Sequence, residues 1–362
     1  MVRPGGSEHT DLFLGLVPER VLAAVEAAGL TTTGACYPLN SFENRVYEVE
    51  LGDRSRVVAK FYRPGRWRAE QILAEHSFLA ELAAAELPVC TVRPFPNGGT
   101  LEVIDGIYYS LSDRRGGRAP DELTPQLAER LGMFVGRMHV IAAAGEGTGR
   151  PQLDAERYIH QALGRIEDGG FLPQHFRRRY LAAAQQIAAH YDARALGVPL
   201  QRIHADLHLG NVLLRDGELR VLDFDDMAIG PAVQDLWLAI PGRDPESLAL
   251  RQRMLAGYER FRAFDHATLA LIEPLRGLRM VRYAGWLARR WHDPAFKAGW
   301  PHFGSEDYWR NETTDLEEQL AVIDDDMGSA LTLAGDSSAD TADATDASEM
   351  TNKDYFWDWE ES

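Results

Sequence analysis

Cysteine is almost missing from this 362-residue chain: Cys36 and Cys90 are the only two, which excludes a disulfide framework and any metal cluster built from thiolates. No stretch approaches the roughly 20 consecutive apolar residues of a membrane-spanning helix, and the opening MVRPGGSEHTDLFLG lacks the apolar core of a secretory signal. A cytoplasmic location without a membrane partner is expected. Positive charge is also scarce. The chain has 38 Lys and Arg against 55 Asp and Glu, a net charge of −17. Nucleic-acid binding is therefore not expected, because sequence-independent contact with phosphates needs clustered cations. Apolar material is plentiful, at 45% of residues against 26% charged, enough for two cores.

The charge is unevenly spread. From Asp336 to the end, nine acids face Lys353 alone, so the tail holds nearly half of the imbalance. Its small, acidic composition cannot offset chain entropy by burial, and disorder is expected from about Met327. The closing YFWDWEES sets aromatics among acids, the pattern of a short docking peptide or of a plain solubilising tail. Three regions are distinguishable: an N-terminal part over 1–112, a second over 113–326, and the tail over 327–362 with its aromatic end.

The first part reads as an antiparallel sheet with one packed helix. PERVLAAVEAAGL from Pro18 is a short amphipathic helix, NRVYEVEL and RVVAKFY form a hairpin around GDRS, and a helix runs from about Trp67 to Glu86. Turn signals at Asn97-Gly98-Gly99 and Asp105-Gly106 supply two or three more strands. The second part is mostly α, with helical patterns at 124–144, 153–168, 173–193, 246–263 and 266–291. One β-rich insert, Gln201 to Pro231, interrupts them. The fold class is α+β.

That insert carries the chemistry. His204, Asp206 and Asn211 lie on one loop, and a short hairpin then delivers Asp223 at the end of a strand. Mg²⁺ prefers oxygen ligands and needs few from the protein when phosphates and water complete its octahedron, so Asn211 and Asp223 suit Mg-ATP. Asp206 is then free to orient a hydroxyl and receive its proton. In the first part, Lys60 ends the strand VVAK, where its ammonium can meet α- and β-phosphates. On the next helix Glu75 shares the apolar stripe of Ile72, Leu79 and Leu82. A buried carboxylate calls for a cation, and Lys60 is the candidate.

The set Lys60, Glu75, HADLHLGN and LDFDD resembles the protein-kinase-like fold of the aminoglycoside phosphotransferase superfamily. Blocks such as PLNSFENRVYEVE, GPAVQDLW and EPLRGLRMVRYAGWLARRWHDPAF extend the likeness from about Pro38 to Trp309, to bacterial stress-response Ser/Thr protein kinases of the RdoA type. The resemblance implies a bilobal, monomeric, ATP- and Mg²⁺-dependent kinase acting on a protein hydroxyl. It implies Asp206 as proton acceptor, Asp223 as a second essential carboxylate, Asn211 and Asp223 as ligands of two Mg²⁺ ions, and Ser41 against ATP phosphates. The loop around Ser41 has no G-x-G-x-x-G, so backbone amides must assist it. The adenine hinge is expected near Leu111 to Asp113. Ala205 stands where the superfamily usually has glycine, which a positive φ would make a strained position.

Alternatives remain beside each reading. His204, Asp206 and His208 also spell a hydrolase-type metal cluster, although that leaves Asn211, Lys60 and Glu75 without a role. His139 reads as a satisfied core histidine, and Asp235 as either a loop-bracing carboxylate or a capping acid. The helix with Trp286, Arg289, Arg290 and Trp291 is packing with snorkelling cations, or a phosphoacceptor groove. No long activation segment follows LDFDD, so a small-molecule kinase of the aminoglycoside or amino-alcohol type is the second reading. The tail serines and threonines, Ser337 to Thr351, are candidate autophosphorylation sites.

Overall fold

Five strands between Thr32 and Asp113 make an antiparallel sheet in the order β1-β2-β3-β5-β4: β1 Thr32–Leu39, β2 Arg45–Leu51, β3 Arg56–Phe61, β4 Glu102–Ile104 and β5 Ile107–Asp113. The computed structural model describes residues 12–145 and 149–333, the last eight as backbone. Side chains alternate across β3. Val57, Ala59 and Phe61 enter a core shared with Val21, Ala24 and Val25 of helix α1 (Pro18–Ala27), so Val58 and Lys60 are sent to the opposite face. Helix α2 (Ala69–Ala84) borders that face, with Ile72, Glu75, Leu79 and Leu82 all buried. Asp105 and Gly106 both take positive φ, 50° and 81°, the two-residue turn the sequence predicts between β4 and β5.

The remaining helices are α3 (Pro125–Ala144), α4 (Gln161–Asp168), α5 (Gln174–Ala195), α6 (Gln234–Trp237), α7 (Pro245–Glu259), α8 (Ile272–Arg290), α9 (Pro294–Gly299) and α10 (Glu306–Leu333). They surround one large core that also takes Phe78, Leu79 and Leu82 from α2, which ties the sheet to the helical part. Glycines permit the closest crossings. A Cβ on Gly132 of α3 would stand 1.8 Å from the Met254 carbonyl of α7, and one on Gly285 of α8 would stand 2.5 Å from Ala162 Cβ of α4. The β-rich insert lies between these helices: β6 (Leu200–Ile203) pairs with β9 (Ala228–Pro231), and β7 (Val212–Arg215) with β8 (Glu218–Val221).

Some elements differ from expectation. Strand β1 has no clean alternation of burial, so its sequence carries no period-2 signal. The turn at Asn97–Gly99 forms, with the Gly98 amide donating to Phe95 O at 2.8 Å, but no regular strands flank it. Helix α10 runs to Leu333, beyond the residue where disorder was expected to begin. The acidic stretch with its candidate phosphorylation sites and the closing aromatic peptide lie outside the described residues. No described helix is long and apolar enough to cross a membrane.

Candidate active site

Lys60 Nζ lies 3.4 Å from Glu75 Oε1, 3.1 Å from Asp223 Oδ1 and 3.5 Å from Asp225 Oδ1. The strand alternation aims the lysine at this point, and the helical period of α2 sets Glu75 opposite it. Burial alone would lower the pKa of the lysine, but three carboxylates outweigh it and hold the ammonium well above its usual value. The carboxylates share one cation. Glu75, buried and beside Asp225 and Asp223, is pushed up to about 7 in spite of Lys60.

The catalytic-type loop is fixed from beneath. Asp235, fully buried at the start of α6, accepts the His204 and Ala205 amides, each at 2.8 Å, and faces His139 Nε2 at 3.0 Å. Gln234 donates to the Ala205 carbonyl at 3.1 Å. These bonds hold Ala205 at φ 68°, a left-handed conformation that is unfavourable for alanine by about 1–2 kcal/mol. The strain expected of a methyl group in this position is therefore present. His204 uses both ring nitrogens inside the protein, Nε2 on Leu222 O at 2.7 Å and Nδ1 on the Asp206 amide at 3.3 Å. It has no lone pair left for a metal, which removes the hydrolase-type cluster.

Asp206 rests on that loop with a quarter of its side chain exposed; one oxygen takes Arg279 Nη1 at 3.0 Å and the other is 3.6 Å from His208 Nε2. Burial opposes its charge, yet the Arg279 guanidinium and His208 hold its carboxyl well below the usual range. Asn211 donates from Nδ2 to the Asp206 carbonyl at 2.9 Å, which leaves its side-chain oxygen for another ligand. Asp223 is half exposed and also left-handed, at φ 50°. Ser41 behaves as a turn residue: its Oγ accepts the Asn44 amide at 3.3 Å.

Lys60 is thus in direct contact with both Glu75 and Asp223, and Asn211 is joined to the Asp206 backbone through one hydrogen bond. Sequence reasoning missed Asp225 and Asp226, the two acids that follow Asp223-Phe224. Asp225 takes Asn44 Nδ2 at 3.0 Å and Arg66 at 2.6 Å, while Asp226 takes Arg66 at 2.9 Å and Arg282 at 2.8 Å. Three acids within LDFDD were the available signal. The β1–β2 loop is also fastened to the helical part: Glu43 accepts Trp286 Nε1 at 2.7 Å and pairs with Arg290, and Arg63 meets Asp293 at 3.0 Å.

A lysine on an antiparallel sheet, meeting a helix glutamate and a second-lobe aspartate above a braced aspartate loop, defines a phosphotransferase of the kinase-like fold. The model of the phosphotransferase enzyme family matches residues 36–272, and the chain belongs to that family. Stress response kinase A of Escherichia coli strain K12 is 38% identical over 312 residues, 86% of this chain and 94% of that protein. Serine/threonine protein kinase RdoA of Salmonella typhimurium strain LT2 is 37% identical over 318 residues, 88% and 96% of the two chains. Among solved structures, amicoumacin kinase hAmiN in complex with AMP-PNP, Ca²⁺ and Ami superposes with a TM-score of 0.68 at 22% identity, covering 88% of this chain and 96% of that one. The microcompartment-associated aminopropanol kinase gives 0.65 at 21%, covering 85% and 98%. The chain is a kinase.

Proposed function

We propose that the chain transfers the γ-phosphate of ATP to a Ser or Thr hydroxyl of a protein, in a stress response as the names of its relatives suggest. The observation that carries the reading is the contact of Lys60 with both Glu75 and Asp223, one cation fixed between sheet, helix and β-rich insert. Lys60 binds the α- and β-phosphates, Glu75 keeps it in place, and Ser41 with neighbouring amides closes over the nucleotide. The donors left available, Asn211 Oδ1 and the half-exposed Asp223 carboxylate, are hard oxygens and fit Mg²⁺. When bound there, the divalent ion neutralises phosphate charge. Asp206, kept ionised by Arg279, accepts a hydrogen bond from the attacking hydroxyl and then its proton.

Asp206→Ala and Asp223→Ala each abolish ATP-dependent transfer, measured with radiolabelled ATP and a generic protein acceptor, while thermal melts stay near wild type. Wild-type turnover by either variant overturns the assignment. A second reading, a small-molecule kinase, is favoured by the direct run of Asp226 into β9, which leaves no peptide platform of the protein-kinase kind. A panel of amino alcohols in the same assay separates the two.

A further inference from the structure

Arginines cluster beside Asp206 and Asp226. On α8, Arg279, Arg282, Arg289 and Arg290 follow at intervals of three, seven and one, and Arg157 and Arg165 stand about two helical turns apart on the neighbouring segment that leads into and through α4. The near contact of Gly285 with Ala162 draws the two rows together. Arg282 Nη1 donates to Tyr158 OH at 2.8 Å, and its guanidinium lies 4.5 Å from that ring centroid. Three acids are met by this group: Asp206 by Arg279, Asp226 by Arg282 and Glu43 by Arg290. Among the described residues, Arg157, Arg165 and Arg289 form no ion pair, and Arg289 makes only a 3.3 Å hydrogen bond to Gly65 O.

The surplus is felt by its members. Burial, then repulsion from Arg157, Arg290 and Arg282, lowers the pKa of Arg165; burial, then Arg290 and Arg165, brings that of Arg289 down to about 10. Each of the three is only partly buried, so an incoming anion can reach it. Lysine occurs at only three positions, Lys60, Lys297 and Lys353, and the patch is guanidinium throughout, a planar fork that matches carboxylates in pairs. The chain as a whole carries −17 and repels long polyanions. What fits is a short acidic segment that can enter beside Asp206. A cationic amino alcohol would meet local repulsion instead.

We propose that the cleft face of α4 and α8 docks the phosphoacceptor, and that this acceptor is a peptide segment whose Ser or Thr is flanked by Asp or Glu. The inference rests on the kinase reading above and adds the chemistry of the acceptor. It is tested on the full-length protein with radiolabelled ATP and three serine peptides of equal length, flanked by acidic, neutral or basic residues, with amino alcohols in parallel. The acidic peptide is expected to exceed the other two in kcat/KM by about tenfold, an advantage that shrinks as salt rises. Arg165→Glu with Arg289→Glu removes the preference while Mg-AMP-PNP binding is retained. Arg165→Gln with Arg289→Gln, closer in volume, answers the question if charge reversal prevents folding. Equal use of acidic and basic peptides, a preference that persists in the variants, or transfer to amino alcohols alone overturns the docking proposal and leaves a kinase. Failure to transfer to any acceptor overturns both.

Discussion

Replacing Asp235 with alanine removes the support of the catalytic-type loop without touching the cleft. The carboxylate is fully buried and serves two backbone amides at 2.8 Å and His139 Nε2 at 3.0 Å. Alanine leaves three polar groups without that acceptor, each worth about 1–3 kcal/mol when stranded away from water. The losses do not add fully, because the desolvated carboxylate also disappears, so about 3–5 kcal/mol is expected. At roughly 2–4 °C per kcal/mol for a large domain, the melting temperature falls by roughly 6–20 °C. Activity falls further than stability. Ala205 no longer has the bonds that hold its positive φ, and a displacement of Asp206 by about 1 Å costs on the order of 10²-fold in rate. Differential scanning fluorimetry and phosphate transfer, both measured well below the melt, check this. A variant that melts within about 2 °C of wild type and retains full turnover refutes the reasoning.

Three further predictions follow from buried groups. His76, bonded to Tyr62 OH and Thr100 Oγ1 at 2.9 Å each, has its pKa lowered to about 3 by burial and then by Lys60. The unfolded chain therefore binds one more proton than the folded chain between about pH 6.5 and 3. Stability present above that window is lost as pH falls through it, by about 1.4 kcal/mol per unit from this group. Urea titrations should show a shallower acid slope for His76→Gln, and identical slopes would contradict the prediction. At Ala205, glycine relieves strain but loses a buried methyl and adds unfolded-state entropy, so Ala205→Gly shifts stability by less than about 1 kcal/mol, whereas Ala205→Val costs more than about 2 kcal/mol. Equal denaturation midpoints for the two would argue against a strained loop. Gly132→Ala forces α3 from α7 and costs about 3 kcal/mol or more, while Gly164→Ala, with open space around its Cβ, is neutral or stabilising; similar melts for both would count against the close crossing.

Local patterns made part of this molecule legible. The apolar strand VVAK carried Lys60 at its end, helical spacing placed Glu75 in a buried stripe, and the loop from His204 to Asn211 showed its own chemistry. What escaped was long-range. Arg279 reaches Asp206 from 73 residues away and Asn44 reaches Asp225 across 181; no periodicity links such positions, because only packing of the helices onto the insert brings them together. Arginines on α8 read as snorkelling cations or as a groove; Arg279 and Arg290 are buried and Arg282 and Arg289 partly so, and their acidic partners lie on distant segments that no spacing points to. The conformation of Ala205 was raised as a question that only the backbone could answer.

The stretch after Asp223 has little freedom to take a second arrangement. A single turn carries it into β9, which is hydrogen-bonded to β6 on one side and to Pro151 and Leu153 on the other, through Ile229 N to Pro151 O at 2.9 Å and Leu153 N to Ile229 O at 2.8 Å. A strand gripped at both edges offers no slack for a covalent mark to rearrange. On the proposed reading, in which Asp223 faces phosphate, that acid is in place as soon as the polypeptide folds, with no rearrangement of this stretch called for.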